Sequence, residues 1–324
     1  MGFFEELFTK EIHTAAIAGH VHPDGDCIGS CCGLYLYLKR HFPGLTRLDL
    51  FLEEPPEELK RVPGFPESRP SLEEACSCDL LIICDVSSRE RIGVAGELFD
   101  RARRTLCVDH HVSNPLFAET NIVEPDASSC CEVLYELLEE EKISKGTAEC
   151  LYTGIIHDTG VLRYSSTSAR TMEIAGILME KGIDFTTIID DSFYRRTFIQ
   201  NRILGCALLK SRLYLDGKCV TSELTMQNIE DYGADSKDLD GIIDQLRITA
   251  GVECAVFVYE KEPGVCKVSL RSNKYLDVSA IAQSFGGGGH IRAAGCTIEG
   301  STGEVLEEVV AMVALGMQEH GRNH

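Results

Sequence analysis

Through the first half of the chain, short apolar runs that end in polar turns alternate with longer helical patterns. Residues 15–21 predict a strand leading into HPDGD and then a helix over IGSCCGLYLYLKRHF. TRLDLFLE predicts a second strand from Thr46. After a proline-rich stretch over residues 62–70, CDLLIICD ends a third strand at Asp85, and RTLCVD ends a fourth at Asp109. Such alternation predicts an α/β fold, a mostly parallel sheet flanked by helices. Sheets of this kind collect ligands beyond the carboxyl ends of their strands. The His20–Asp26 turn, Asp85 and the stretch from Asp109 to His111 all fall at such ends.

Helical patterns follow at residues 128–141, 146–153 and 169–181, and the run 197–211 predicts a connecting helix. The pattern then changes. KCVTSELT predicts a strand, and ECAVFVYEKEPGVCKVSLRS predicts a hairpin turning near residues 262–264, where Pro263 and Gly264 sit. A helix over residues 278–285, a glycine cluster, a short strand and a final apolar helix complete a smaller α/β domain. The expected organisation is a first domain over residues 1–195, a linker over 196–212 and a second domain over 213–324. The polar tail 318–324 is expected to be disordered.

Composition narrows the function. With 324 residues, 44% hydrophobic and 25% charged, the chain suits two soluble domains. The formal net charge of -20 argues against broad binding of long nucleic acid, which needs many phosphates neutralised, but not against a small phosphorylated substrate. The opening residues do not read as a secretory signal, and no run approaches the roughly 18 apolar residues that span a bilayer. Many of the fifteen cysteines, among them Cys31, Cys32, Cys76, Cys84, Cys107, Cys206 and Cys254, lie in apolar or helical stretches, and no CxxC pair occurs. A reduced, cytoplasmic protein is therefore expected, with no membrane partner.

The candidate chemistry is carried by aspartates and histidines. HVHPDGD supplies His20, His22, Asp24 and Asp26; its proline restricts the turn, and Gly25 allows angles that a branched residue adopts only at a cost. Such a turn can also simply cap the next helix. Asp85 leaves the apolar strand LLIIC, where it would either cap a helix or bridge two cations. Asp109, His110 and His111 follow TLCV, although a His-His pair alone is often structural. Asp158 lies in GIIHDTGVLRYSST between Gly154 and Gly160, beside His157 and with Arg163 five residues on.

These groups divide into a first cation site, His20, Asp24 and Asp85, and a second, Asp26, Asp85, His110 and Asp158, with Asp85 shared. Two divalent cations balance four aspartates that would otherwise repel one another. Mixed imidazole and carboxylate donors suit manganese, cobalt, iron or zinc, and magnesium less specifically; Mn2+ is the expected ion. Two ions about 3.5–4 Å apart lower the pKa of a shared water and hold transferring phosphoryl oxygens. His111 is then expected on the scissile phosphate and Asp109 as the carboxylate that orients an imidazole. His22 is spare.

GHVHPDGDCIGS, the aspartate of IICDVSS, VDHHVSN and GIIHDTGVLRYSST together resemble, in order, the motifs of the DHH phosphoesterase family. That likeness matches His20, Asp24, Asp26, Asp85, His110 and Asp158 to metal ligands and His111 to the phosphate contact. SFGGGGHIRAAG resembles the glycine-rich motif of the associated DHHA1 domain. Gly287, Gly288 and Gly289 would offer backbone donors, and His290 and Arg292 side-chain donors. Arg271 and Ser272 of VSLRSN, with Arg163, are further candidate substrate contacts. The resemblance implies an active site in an interdomain cleft and a homodimer formed through the first domain. Size and domain order are most similar to the oligoribonuclease and 3′-phosphoadenosine-5′-phosphate (pAp) phosphatase branch. This implies hydrolysis of short single-stranded RNA, dinucleotides or the 3′-phosphate of pAp. A cyclic or linear dinucleotide phosphodiesterase (c-di-AMP/pApA type) and a non-catalytic nucleotide-binding regulator are the alternatives.

Overall fold

A computed structural model describes residues 2–8, 11–72 and 77–322. Cys76, Asn323 and His324 lie outside the described residues. The chain divides into two compact units, Met1–Arg195 and Arg196–His324.

The first unit opens with helix α1 (Phe3–Leu7), then β1 (Thr14–Ala18), α2 (Gly25–His41), β2 (Arg47–Phe51), β3 (Leu80–Cys84), β4 (Arg104–Asp109) and β5 (Thr120–Val123). Helices α3 (Cys130–Leu137), α4 (Lys145–Asp158), α5 (Ala169–Glu180) and α6 (Phe185–Ile189) follow. The five strands pair entirely in parallel in the order β2-β1-β3-β4-β5. Their carboxyl ends therefore share one edge, and the strand order reverses between β1 and β3, where ligands of open α/β sheets bind.

The two faces of this sheet are covered differently. Ile17, Ile82, Leu106 and Val108 pack against α2 through α5. Ala16, Ala18, Leu81 and Ile83 pack instead under Val86, Ile92 and Leu98, from a segment with only short 3-10 turns at Arg89–Arg91 and Gly96–Asp100. Helix α2 is buried nearly all round, as expected of a helix that is apolar on every side. It lies close against α4: a Cβ on Gly29 would stand 2.5 Å from the Cys150 carbonyl oxygen and 3.0 Å from the Gly154 nitrogen. Strand β5 and the length of α4 depart from the sequence expectation. β5 is a half-buried edge strand with weak periodicity, and α4 continues to Asp158, into the segment read as a polar turn. Ser144 caps its start by accepting from the Thr147 amide.

In the second unit, α7 (Phe198–Leu209) precedes β6 (Arg212–Tyr214), β7 (Cys219–Leu224), α8 (Met226–Asp231), α9 (Ile242–Arg247), β8 (Cys254–Glu262) and β9 (Val265–Ser272). Helix α10 (Val278–Ser284), β10 (Gly288–His290), β11 (Ala293–Glu299) and α11 (Thr302–Arg322) complete it. The six-stranded sheet runs β10-β11-β9-β8-β7-β6, antiparallel except for β7 with β8. Helices α10 and α11 cover one face. On the other, Ile203 and Ala207 of α7 pack with Val220, Leu224 and Ile242, so the helix expected as a connector is an integral layer of this unit. The polar tail is a correction too: α11 continues to Arg322, and His320 stacks on Tyr275 with centroids 4.4 Å apart, which anchors the last turns.

Candidate metal centre

Three chain reversals at the carboxyl edge of the parallel sheet bring the expected ligands together. β1 delivers His20, β3 delivers Asp85, and β4 delivers Asp109 with His110 and His111 just beyond. Asp24 and Asp26 begin α2, and Asp158 is the last residue of α4. A cavity of about 90 Å³ is lined by His20, Asp24, Asp85, Ser87, Arg91, His111 and Asp158. A larger recess of about 690 Å³, bordered by Ser71, Leu72 and residues of 89–97, has no matching convergence of ligand atoms among the described residues.

Asp85 occupies the centre. Its Oδ2 lies 3.5 Å from Nε2 of His20, and its Oδ1 lies 3.6 Å from Nε2 of His110 and 3.6 Å from Nδ1 of His111. The residue is 3% exposed, and Oδ1 is buried with no hydrogen-bond partner among the described residues. Its φ is +58°, in the left-handed region that costs a non-glycine residue energy, though aspartate bears it better than most. A strained, buried carboxylate with an orphaned oxygen is what a cation would satisfy.

The neighbours are oriented to match. Nδ1 of His20 lies 2.8 Å from the Val21 carbonyl oxygen, to which it donates when protonated, leaving Nε2 facing Asp24 at 3.6 Å and Asp85. Asp24 both faces His20 and caps α2, its Oδ1 accepting from the amides of Asp26 and Cys27 at 3.1 Å each. Asp26 is fully buried; its two oxygens accept from the first amides of α3, Cys130 at 2.6 Å and Cys131 at 3.0 Å. Nε2 of His110 stands 3.1 Å from Asp158 and 3.8 Å from Asp26. Ligand atoms within 4.8 Å of one another thus form overlapping groups: Asp85 with His110 and His111, and Asp26 with His110 and Asp158. His20, Cys27 and Asp85 make a third. Burial raises the Cys27 thiol well above its usual value, and the uncharged thiol is a weak ligand.

Gly154 has a specific task. A Cβ there would stand 2.6 Å from Oδ1 of Asp26, so only glycine lets α4 pass this carboxylate and carry Asp158 to the centre.

The charges of the cluster act strongly on one another. Burial, then the charges of Asp85 and Asp158, push the Asp26 carboxyl well above its usual range; burial also raises Asp85. Burial opposes charge on His20 and His110, yet their carboxylate partners win: His20 is raised, and His110 is raised to about 10. Burial likewise opposes charge on Asp24, but the His20 hydrogen bond holds its carboxyl down at about 2. Protons here stand where divalent cations would neutralise the same oxygens.

Asp109 is fully buried and holds His111, with Oδ1 2.7 Å from Nδ1; that hydrogen bond raises the imidazole. Asn114, which the sequence reading passed over, donates to Asp109 Oδ2 at 2.7 Å and to the Val86 carbonyl at 3.1 Å, tying the β3 and β4 ends together. Its signal was its place in VDHHVSN, five residues after the strand end. His22 lies apart, its side chain 95% exposed near Glu53. Arg163 is exposed, over the Tyr164 ring at 5.7 Å, and does not line the cavity.

The candidate contacts of the second unit are placed otherwise. Ser272 is buried, and its hydroxyl donates to the Leu276 carbonyl at 2.7 Å; it offers no free donor. Arg292 donates to the carbonyls of Leu276, at 3.0 Å, and Lys274. Arg271 Nε is 3.7 Å from Asp244. A Cβ on Gly289 would stand 2.6 Å from Ala294 Cα, and one on Gly287 would overlap Gly295 and Cys296. Those two glycines are required for β10 to approach β11. Gly288 faces open space, and His290 is exposed.

A parallel sheet with aspartates and histidines converging at its switch point, followed by a mixed-sheet unit with a glycine-rich hairpin, defines a two-domain class. The DHH family N-terminal domain matches residues 14–155, and the DHHA1 domain matches residues 216–318. The chain belongs to the DHH family and carries a DHHA1 domain. Among relatives, the bifunctional oligoribonuclease and PAP phosphatase NrnA of Thermus thermophilus is 32% identical, over 88% of this chain and 84% of that protein. The cyclic-di-AMP phosphodiesterase PdeA of Listeria monocytogenes is 26% identical over 92% of this chain, which spans 46% of that protein. The crystal structure of an exopolyphosphatase-related protein from Bacteroides fragilis superposes with a TM-score of 0.83 at 26% identity, covering 98% of this chain and 95% of that one.

Proposed function

We propose that this chain is a metal-dependent phosphoesterase that hydrolyses short RNA oligomers and dinucleotides and removes the 3′-phosphate of pAp. The observation that carries the reading is Asp85, a strained and buried carboxylate whose two oxygens face different imidazoles, Oδ1 without a hydrogen bond among the described residues. The donor set fits two divalent cations: His20, Asp24 and Asp85 for one, and Asp26, Asp85, His110 and Asp158 for the other. Manganese is the ion we assign to them. Bound there, the ions would supply an activated water and take up charge on phosphoryl oxygens.

The protein's own groups do the rest. His111, held by Asp109, meets a non-bridging oxygen of the scissile phosphate and stabilises its growing charge. Water oxygen bonds to phosphorus as the bond to the departing nucleoside oxygen breaks, and that oxygen leaves with a proton. In the second unit, Arg271, His290 and the open backbone at Gly288 are assigned to nucleotide recognition, with Arg292 and Ser272, both bonded to loop carbonyls, as positioning residues.

Cysteines such as Cys31, Cys84 and Cys130 are buried among apolar side chains, which supports a reducing, cytoplasmic setting. No helix among the described residues is long and apolar enough to cross a membrane. A homodimer through the first unit is part of the same reading.

The test is a manganese-supplemented hydrolysis panel of pAp, pApA, short RNA, cyclic dinucleotides and pyrophosphate, with products identified. We expect AMP and phosphate from pAp and mononucleotides from RNA, all abolished by chelation and restored by metal. Cleavage confined to cyclic or linear dinucleotides would move the assignment to the phosphodiesterase reading, which the likeness to PdeA supports. Metal-loaded protein that binds nucleotides without turnover would make it a regulator.

A further inference from the structure

Arg91 lines the same cavity as His20, Asp85 and His111, and no ligand set or sequence motif singled it out. Its side chain is exposed, and among the described residues no carboxylate lies within ion-pair distance of it, Asp24 and Asp85 included. Its neighbour Arg89 behaves differently. Arg89 pairs with Asp100 at 2.5 Å and lies over the Phe99 ring at 4.6 Å. One arginine of the pair is committed to the fold; the other lines the cavity without such a partner.

The backbone of Arg91 is nonetheless fixed to the ligand-bearing turn. Its carbonyl accepts from the Val21 amide at 2.9 Å, and its own amide donates to Ser88 at 3.1 Å. The next residue, Ile92, bridges to His20, and the Gly93 amide donates to Gly19 at 3.0 Å. A guanidinium on a mobile loop would lose entropy on binding, whereas this one is pre-positioned at its root. Charge completes the argument. Four carboxylates balanced by two dications leave the negative charge of a phosphate, and of the water attacking it, to other groups in the cavity. His111 is one. Arg91 is the only arginine or lysine among the residues that line it.

We infer that Arg91 is a catalytic residue whose guanidinium binds a non-bridging oxygen of the scissile phosphate. The inference rests on the phosphoesterase reading and names a further contact of that site. Because the scissile phosphate is common to all substrates, Arg91→Ala should lower kcat/KM about 100-fold or more on each alike. Bound metal content and Tm should stay as in the parent protein. Millimolar guanidinium should restore part of the lost activity, and Arg91→Lys should fall between.

The substrates are pAp, pApA and bis(p-nitrophenyl) phosphate, the last having one phosphate. Equal losses on all three with guanidinium rescue support the inference. A loss confined to substrates with a second phosphate overturns it, as does activity within about threefold of the parent protein. Loss of metal in parallel with activity, or failure of both guanidinium and lysine to restore turnover, makes Arg91 structural and equally overturns it. If the unaltered protein turns over none of the three, the phosphoesterase reading itself has failed.

Discussion

Asp85 in the first unit and Ser272 in the second are equally buried, each with 3% of its surface exposed. Ser272 gives its hydroxyl to the Leu276 carbonyl, while Oδ1 of Asp85 has no hydrogen-bond partner among the described residues, and its residue has a left-handed backbone. The contrast extends to their neighbours. Around Ser272, Arg292 is bonded to two carbonyls, and Glu253 accepts from the amides of Lys274, Tyr275 and Leu276. That loop is complete without a ligand. Around Asp85, carboxylates crowd together and raise one another's proton affinity. Buried polarity already satisfied belongs to the fold; buried polarity left unsatisfied marks a binding site.

The sharpest way to break this contrast is Asp85→Asn, which keeps a residue that tolerates positive φ and removes the charge. We expect loss of bound metal by elemental analysis and a fall in kcat beyond the 10–100-fold typical of groups that only orient ligands. The metal-free variant should be at least as stable as the parent, since like-charge repulsion is relieved. Retained metal and turnover would remove the shared-ligand assignment.

Next in size is the pH dependence of metal uptake. His20 and His110 are raised by carboxylates that gain from their charge, so the metal-free cluster holds protons that a cation must displace. Affinity should rise with pH through the neutral range, about tenfold per unit for each proton released. Calorimetry in buffers of different ionisation enthalpy would count those protons. In metal-free protein, the raised His110 contributes stability fully present below about pH 6.5. That contribution is lost as pH climbs through about 10.

Smaller effects separate the glycines and Arg292. Gly154→Ala places a Cβ 2.6 Å from Asp26 Oδ1, and Gly289→Ala places one 2.6 Å from Ala294 Cα at a φ of +146°. Each should cost about 1–3 kcal/mol in denaturant titrations, and only Gly154→Ala should also weaken metal binding. Arg292→Ala removes two donors from carbonyls and should lower stability by about 1–3 kcal/mol with metal content unchanged. If Arg292 served substrate alone, its removal would leave Tm where it was. Gly288→Ala meets nothing within 4 Å; Tm should barely move, while KM should rise if its backbone faces a nucleotide.

Four strands of the first unit, a mostly parallel sheet and the polar groups at its strand ends were legible in the sequence. An apolar run that stops at an aspartate is a local signal, and in a parallel sheet every such stop falls on the same edge. Which groups are free to bind was not legible. Hydrogen-bond satisfaction joins residues far apart in the chain: Arg292 to Lys274, Asp26 to Cys130, Asn114 to Val86. The same holds for α7, whose apolar positions mark a helix but do not say against which layer it packs, and for the tail, where His320 stacks on Tyr275. Periodicity decides which face of an element turns inward. Only the tertiary structure decides what that face meets, because burial energies belong to pairs of elements.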